Sequence, residues 1–362
     1  MTDNTSLAIK TDTNVVVSVD AMGGDHGPSI ILAGLLLSIK QYEGIKFLVH
    51  GPEDQLAPLI KKYNLLDFCT IINAERTVTM GDKPSQVMRH GKGTSMWSAV
   101  TSVKEQHADA CVSCGNTGAL MAISMVRLRK LAGVSRPAIA ILWPSFGING
   151  FNVMLDVGAD IRADETDLLQ FALMGASYSG IGFGVACPRV GLLNIGTEAH
   201  KGRTELKLAY DLITDAAETV NFEFVGFVEG SDIPTAKVDV IVTDGFTGNI
   251  ALKTAEGTAG FIGRSLRQVF SDGLLSRLSA LFAYGPLSRF KRQTDPRQVN
   301  GGVFLGLNGT VVKSHGAADA TAVAAAVGLA YRLGKADFNA KLAARIASTN
   351  TCINNTEEDR NA

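Results

Sequence analysis

No apolar run in this 362-residue sequence is long enough to cross a bilayer as a helix. The longest, IILAGLLLSI from Ile30 to Ile39, falls far short of the roughly 20 residues a span requires. The N-terminal MTDNTSLAIKTDTN is polar and carries no signal-peptide core. Surplus charge is also missing: the formal net charge is −1, which argues against a general nucleic-acid binder. The cysteines, Cys69, Cys111, Cys114, Cys187 and Cys352, are odd in number and follow no disulfide framework, so a reduced cytoplasmic setting is expected. Cys111 and Cys114 form one CxxC with no second pair, so no metal site is expected from them. Three nucleophile and nucleotide signatures are absent as well. Without GxxxxGK[ST] or GxGxxG an ATP or dinucleotide site has no motif support, and without GxSxG there is no nucleophile elbow. No cofactor is expected.

What the chain does have is glycine, 38 of them, placed at the ends of β-rich runs. Short apolar stretches alternate with helical patterns from Val15 to Leu333, which predicts a mostly parallel sheet covered by helices. Strands are expected at Val15–Asp20, Lys46–His50, Thr70–Asn73, Asp109–Ser113, Ala138–Leu142, Phe151–Asp156, Arg189–Asn194, Phe222–Phe227, Val238–Thr243 and Val311–Lys313. One helix is expected over Pro84–Gln106 and another over Asn249–Phe270. Residues 1–13 and 346–362 read as loosely held tails around one catalytic unit, 14–345.

Six strands finish in similar loops: SVDAMGGD, SCGNTGA, LDVGAD, LNIGTEAHKG, TDGFTGN and KSHGAAD. Ligands of parallel sheets bind outside the carboxyl ends of the strands, so six such loops are expected to line one rim. In the first loop Gly23 and Gly24 allow close backbone approach, and Pro28 opens a helix whose positive dipole end attracts an anion. Asp25 and His26 lie between them.

These loops, with the runs SRPAIA, RVGLLNIGTEAHKG and VDVIVTDGFTGNIALKTAEG, resemble the bacterial phosphate acyltransferases of phospholipid synthesis. Those enzymes move a fatty acyl group from acyl carrier protein to inorganic phosphate. The likeness spans nearly the whole chain. It departs at Cys114, where the family has a small non-thiol residue, and beyond Leu342, where no motif remains. It implies a Rossmann-like α/β/α sandwich, related to isocitrate and isopropylmalate dehydrogenases, in a homodimer. The metal and nicotinamide chemistry of those dehydrogenases is not implied, because no aspartate cluster lies on a helix here.

The resemblance makes Lys201 catalytic, a point charge for phosphate. It favours Asn249 as an oxyanion donor, although a helix N-cap is the competing reading. Gly23, Gly24, Asp25, His26, Asn116, Thr117, Gly118, Thr197, Glu198, Gly202, Asp244, Gly245, Thr247, Gly248 and His315 are expected to bind or position substrate. N-capping competes for Asn116 and Thr117. Asp20, Asp25 and Asp156 would repel phosphate, and are expected to orient Lys201 or backbone groups. Phosphate is already substantially dianionic near neutral pH, so direct attack without an acyl-enzyme is the simpler route.

Residues 262–297 carry Arg264, Arg267, Arg277, Arg289, Lys291, Arg292 and Arg297 against Asp272 and Asp295. This basic patch fits either acidic acyl carrier protein or an anionic membrane surface, beside a membrane glycerol-3-phosphate acyltransferase that would consume the product. Leu274, Leu275, Leu278, Leu281 and Phe282 share one helical face near it, which also fits a dimer contact. Two rival functions remain open: a short-chain phosphotransacetylase using acetyl coenzyme A, and a non-catalytic membrane scaffold.

Overall fold

The computed structural model describes residues 14–217, 220–273 and 301–348, with short pieces between 275 and 287. Among them, eleven strands form one sheet in the order β3-β2-β1-β4-β11-β10-β5-β6-β9-β7-β8. The first group comprises β1 (Val15–Asp20), β2 (Ile45–Gly51), β3 (Cys69–Asn73), β4 (Ala110–Ser113) and β11 (Thr310–Lys313), all mutually parallel. The second comprises β6 (Phe151–Leu155), β7 (Arg189–Leu193), β8 (Glu223–Val228) and β9 (Val240–Val242), again parallel among themselves. Between the groups stand β10 (Gly302–Leu305) and β5 (Ala138–Pro144). The pairs β11–β10, β10–β5 and β5–β6 are all antiparallel. Three successive reversals leave the two groups pointing opposite ways.

Helices cover both faces, giving the α/β/α sandwich expected. One apolar layer runs across both groups, from Val17 and Leu32 through Phe171 to Ile213 and Val327. The opposite face is divided. Met96, Val100, Leu120 and Phe304 pack over the first group, whereas Met154, Val157, Ile241 and Val238 pack over the second. Strand β1 is buried along its whole length, which is why VVVSVD reads as a continuous run rather than an alternation.

Side-chain caps set the helix starts. Asn116 accepts from the Ala119 N–H at 3.0 Å to open α5 (Thr117–Arg127). Asp164 and Asp167 form a reciprocal capping box at α6 (Glu165–Phe183). Asp244 accepts from the Thr247 N–H at 2.8 Å and opens the 27-residue α8 (Gly245–Ser271). That start lies a turn earlier than the expected Asn249.

Two further differences have local causes. The helix expected over Pro84–Gln106 is broken into Pro84–His90 and Ser95–Lys104, because Gly91-Lys92-Gly93 turns the chain there, with Gly93 at φ 86°. At the other end the chain is helical through 348, and Ile346, the first residue of the expected tail, is buried.

His50, near the end of β2, is fully buried, its ring nitrogens 2.9 Å from Ser18 Oγ and 2.9 Å from Ser98 Oγ. Burial pushes its pKa down to about 3. The unfolded chain takes up this proton near pH 6.5 and the folded chain refuses it, so stability present above that pH is lost as pH falls toward 3. The expected slope is about 1.4 kcal/mol per pH unit. Subtracting urea-unfolding stabilities of His50→Gln from those of the wild type between pH 6 and about 4 should recover that slope. Parallel curves would refute it.

Candidate active site

The strand reversal divides the six glycine loops, so the single rim expected from the sequence is not what forms. Loops after β1, β4 and β11 gather at one edge of the sheet, and those after β6, β7 and β9 at the other.

At the first edge the loops touch through their backbones. Asp25 N–H donates to the Gly316 carbonyl at 2.8 Å. A Cβ on Gly23 would stand 2.6 Å from Gly115 N, so only glycine allows the β1 and β4 loops this contact. The Asn116 amide donates to the Met80 and Asp82 carbonyls at 2.8 and 3.2 Å. Its side chain therefore performs the capping role the sequence left open and fixes a neighbouring loop. Thr117 and Gly118 form the first turn of α5, with Gly118 against Pro84. His26 is exposed beside Asp25, and His315 Nε2 lies 3.6 Å from Glu256 of α8.

At the second edge Lys201 and Glu198 pair at 2.8 Å, both substantially exposed. The Glu198 carboxylate raises the lysine's pKa, and the lysine lowers that of Glu198. Lys201 is thus aligned by its own loop and not by Asp20, Asp25 or Asp156. Gly202 turns the chain at φ 88° beneath it, against the Asn194 side chain, while Thr197 stays exposed. Arg203 forms an ion pair with Asp244, which also accepts from the Thr247 hydroxyl at 3.0 Å. The sequence reading missed Arg203, whose signal was a cation two residues from the loop lysine.

Asp156 does orient backbone, as expected: its carboxylate accepts from the N–H groups of Ile139 at 2.8 Å and Asp160 at 2.8 Å. Burial outweighs these bonds and lifts its pKa to about 6. The first turn of α8 rests on this loop. Asn249, clear of the cap position, faces Gly158, with its amide carbon 3.7 Å from where a Cβ there would sit. The competing N-cap reading of Asn249 is thereby removed.

Helix α8 joins the two edges. Ala251 and Leu252 pack against the apolar cluster of Met154, Val157, Leu193 and Ile241, as do Ile141 and Trp143 of β5. Asn249, Lys253 and Glu256 follow one another at helical spacing along a single stripe. That stripe meets Gly158 with Asn249, the electrostatic surroundings of Lys313 with Lys253, and His315 with Glu256.

Elsewhere, Cys111 packs into one apolar layer and Cys114 into the opposite one, so the CxxC sulfurs do not share a site. Among the described residues no group of three or more His, Cys, Asp or Glu side chains could hold a metal ion. No described helix is long and apolar enough to cross a membrane. Of the face expected at Leu274–Arg292, Leu275 and Phe282 are 81% and 89% exposed. Leu274, Leu278, Leu281 and the cations Arg277, Arg289, Lys291, Arg292 and Arg297 lie outside the described residues.

This bipartite α/β architecture is shared with solved phosphotransacetylases. A phosphotransacetylase from Streptococcus pyogenes superposes with a TM-score of 0.60 at 16% identity, over 89% of this chain and 94% of its own. EutD phosphotransacetylase from Staphylococcus aureus gives 0.59 at 16% identity, over 90% and 95%. Identities this low establish shared fold only. The family model described as "Fatty acid synthesis protein" matches residues 15–341, and the chain belongs to that family. The protein named phosphate acyltransferase in Ruegeria sp. (strain TM1040) is 62% identical over 349 residues, 96% of this chain and 93% of its own length. That of Paracoccus denitrificans is 61% identical over 336 residues, 92% and 91% of the two chains.

The seat of α8 on the β6 loop is testable through Gly248, where a Cβ would overlap the Asp156 carbonyl oxygen. Gly248→Ala should cost about 1–3 kcal/mol in urea unfolding, as overpacking does, and lower turnover more than a matched Gly257→Ala, whose site is open. Equal effects at the two positions would contradict this seating.

Proposed function

We infer that the chain transfers a fatty acyl group from acyl carrier protein to inorganic phosphate, yielding an acyl phosphate for phospholipid synthesis. The observation that carries this reading is the joining of the Lys201 loop to the first turn of α8 through Arg203 and Asp244. This link fixes a cation-bearing loop relative to Asn249. Phosphate carries its own nucleophilic oxygen, so the site needs a positive seat and an amide donor for the thioester oxyanion rather than a nucleophilic side chain. Lys201 supplies the seat, with Glu198 aligning it. Asn249 supplies the donor. Names of relatives with about 62% identity support the reaction class. They favour it over the acetyl coenzyme A reaction named for the structural neighbours, which share fold alone.

Acyl phosphate formed from palmitoyl acyl carrier protein, with little from acetyl coenzyme A, is the expected result with purified protein. Lys201→Ala should lose about 10²–10³ in turnover while keeping the wild-type melting profile. Near-normal turnover in that variant would remove Lys201 from the mechanism.

The homodimer and membrane contact belong to the same reading. Among the described residues of α8 only Gly245 and Gly248 are buried, so most of this helix presents its surface outward. Phe261, Val269, Leu275 and Phe282 are exposed along its distal half and beyond. An apolar tip ringed by basic residues binds anionic bilayers at about 1 kcal/mol per cation plus its buried apolar area. The product would then be released beside a membrane enzyme able to pass it to glycerol phosphate. The protein should sediment with anionic liposomes, less so in high salt and in Phe282→Asp, with solution turnover preserved. If Phe282→Asp instead dissociates a stable dimer, the face belongs to a second copy of the chain.

A further inference from the structure

We propose that Lys313 is a second catalytic lysine, which hands a proton to the sulfur leaving the thioester while Lys201 holds the phosphate; this rests on the acyl-transfer reading above. Lys313 is the last residue of β11, and its register places it beside Ser113, which in turn lies beside Asp20 on β1. Three neighbouring strands thus deliver a cation, a hydroxyl and a carboxylate to one edge of the sheet. The Ser113 hydroxyl donates to Asp20 Oδ2 at 2.7 Å. Asp20 Oδ1 and Ser95 Oγ are both buried and complete no hydrogen bond of normal geometry. A buried, incompletely satisfied acid beside an ammonium is costly for folding alone, and such clusters concentrate at functional sites.

Lys313 is partly buried, and its ammonium donates to the Ser314 carbonyl. The groups around it are Cys114 at the end of β4, Asp20 on β1, Asp25 in the β1 loop and Lys253 on α8. Lys253 stands one turn, about 6 Å along the axis, beyond Asn249 on the same stripe. Glu256, 2.9 Å from Lys253 on that stripe, lies 3.6 Å from His315, so the helix face that carries Asn249 also runs past the end of β11. Burial is the main influence on Lys313 and brings its pKa down to about 8; the acids oppose that fall and Lys253 adds to it. A thiol ionises near 8.5, and a proton donor matched to its acceptor and to ambient pH is the most effective.

The step balances. An oxygen of hydrogen phosphate forms a bond to the thioester carbon, and collapse of the tetrahedral adduct breaks the C–S bond, whose electron pair leaves on sulfur. Sulfur takes a proton from the Lys313 ammonium to become the free thiol. The proton released by the phosphate returns to the Lys313 amine through solvent. The products are acyl phosphate and thiol, with no proton or electron left over.

The test follows acyl phosphate formation by the full-length protein from two palmitoyl thioesters: that of acyl carrier protein, and that of thiophenol, a thiol acidic enough to leave unprotonated. Lys313→Met should lose about 10² or more in kcat with the acyl carrier protein substrate, change the KM for phosphate little, and lose far less with the thiophenol ester. Wild-type kcat should fall above about pH 8, following the donor's ionisation. Lys313→Arg, which stays charged, should be slower but without that falling limb. Equal losses on both esters, a raised phosphate KM at unchanged kcat, or a falling limb retained in Lys313→Arg would each overturn the assignment. A wild type that makes no acyl phosphate from palmitoyl acyl carrier protein would instead defeat the acyl-transfer reading itself.

Discussion

Three antiparallel pairings in succession, β11–β10, β10–β5 and β5–β6, decide the direction of the whole sheet. Had the number of reversals been even, every crossover would have ended at one edge and the ligand site would have been a single crevice. Instead the glycine-rich loops collect in two sets, and something must bring them into register. Helix α8 does so, because its first turn is seated on the Asp156 carboxylate loop and its third turn reaches His315. The absence of a Cβ at Gly245 and Gly248 is what permits that seat.

Electrostatics follows the same division. Each half of the site holds a lysine near a carboxylate, under different solvation. Lys201 and Glu198 are exposed, so their attraction is screened and serves to aim the lysine rather than to stabilise the fold. Lys313 and Asp20 lie where water is scarce, and burial shifts both toward their neutral forms. One lysine is suited to holding charge, the other to exchanging a proton.

Much of this was legible in the sequence, but unevenly. Elements written in local pattern were found: β1 ends at Asp20 as VVVSVD predicts, and the strand expected at Phe151–Asp156 forms as β6. Strand β10 escaped because GVFL is short, follows a glycine and has no periodicity to separate it from a loop. The mostly parallel pairing was legible in the alternation of strands and helices, but the three antiparallel pairs at the joint were not, since no segment records which neighbour it will pair with. The expected single rim failed for that reason. Lys313 escaped because a lysine at a strand end reads as a solvated terminus, and only the pairing of β11 with β4 brings it to Asp20. For Asn249, the shift of the cap to Asp244 shows why it has no capping duty.

The strand order also bears on how the chain is made. Strands β10 and β11 fill the middle of the sheet, between β4 and β5, yet come from residues beyond 300. Until the ribosome has released them, β4 and β5 each keep a bare hydrogen-bonding edge, and the nascent protein is two half-sheets with nothing to join them. Open edges of this kind pair readily with other chains. Synthesis of this protein therefore holds its greatest aggregation hazard almost to completion, and a transcript cut short before residue 302 leaves a product with two sticky edges rather than a smaller stable domain.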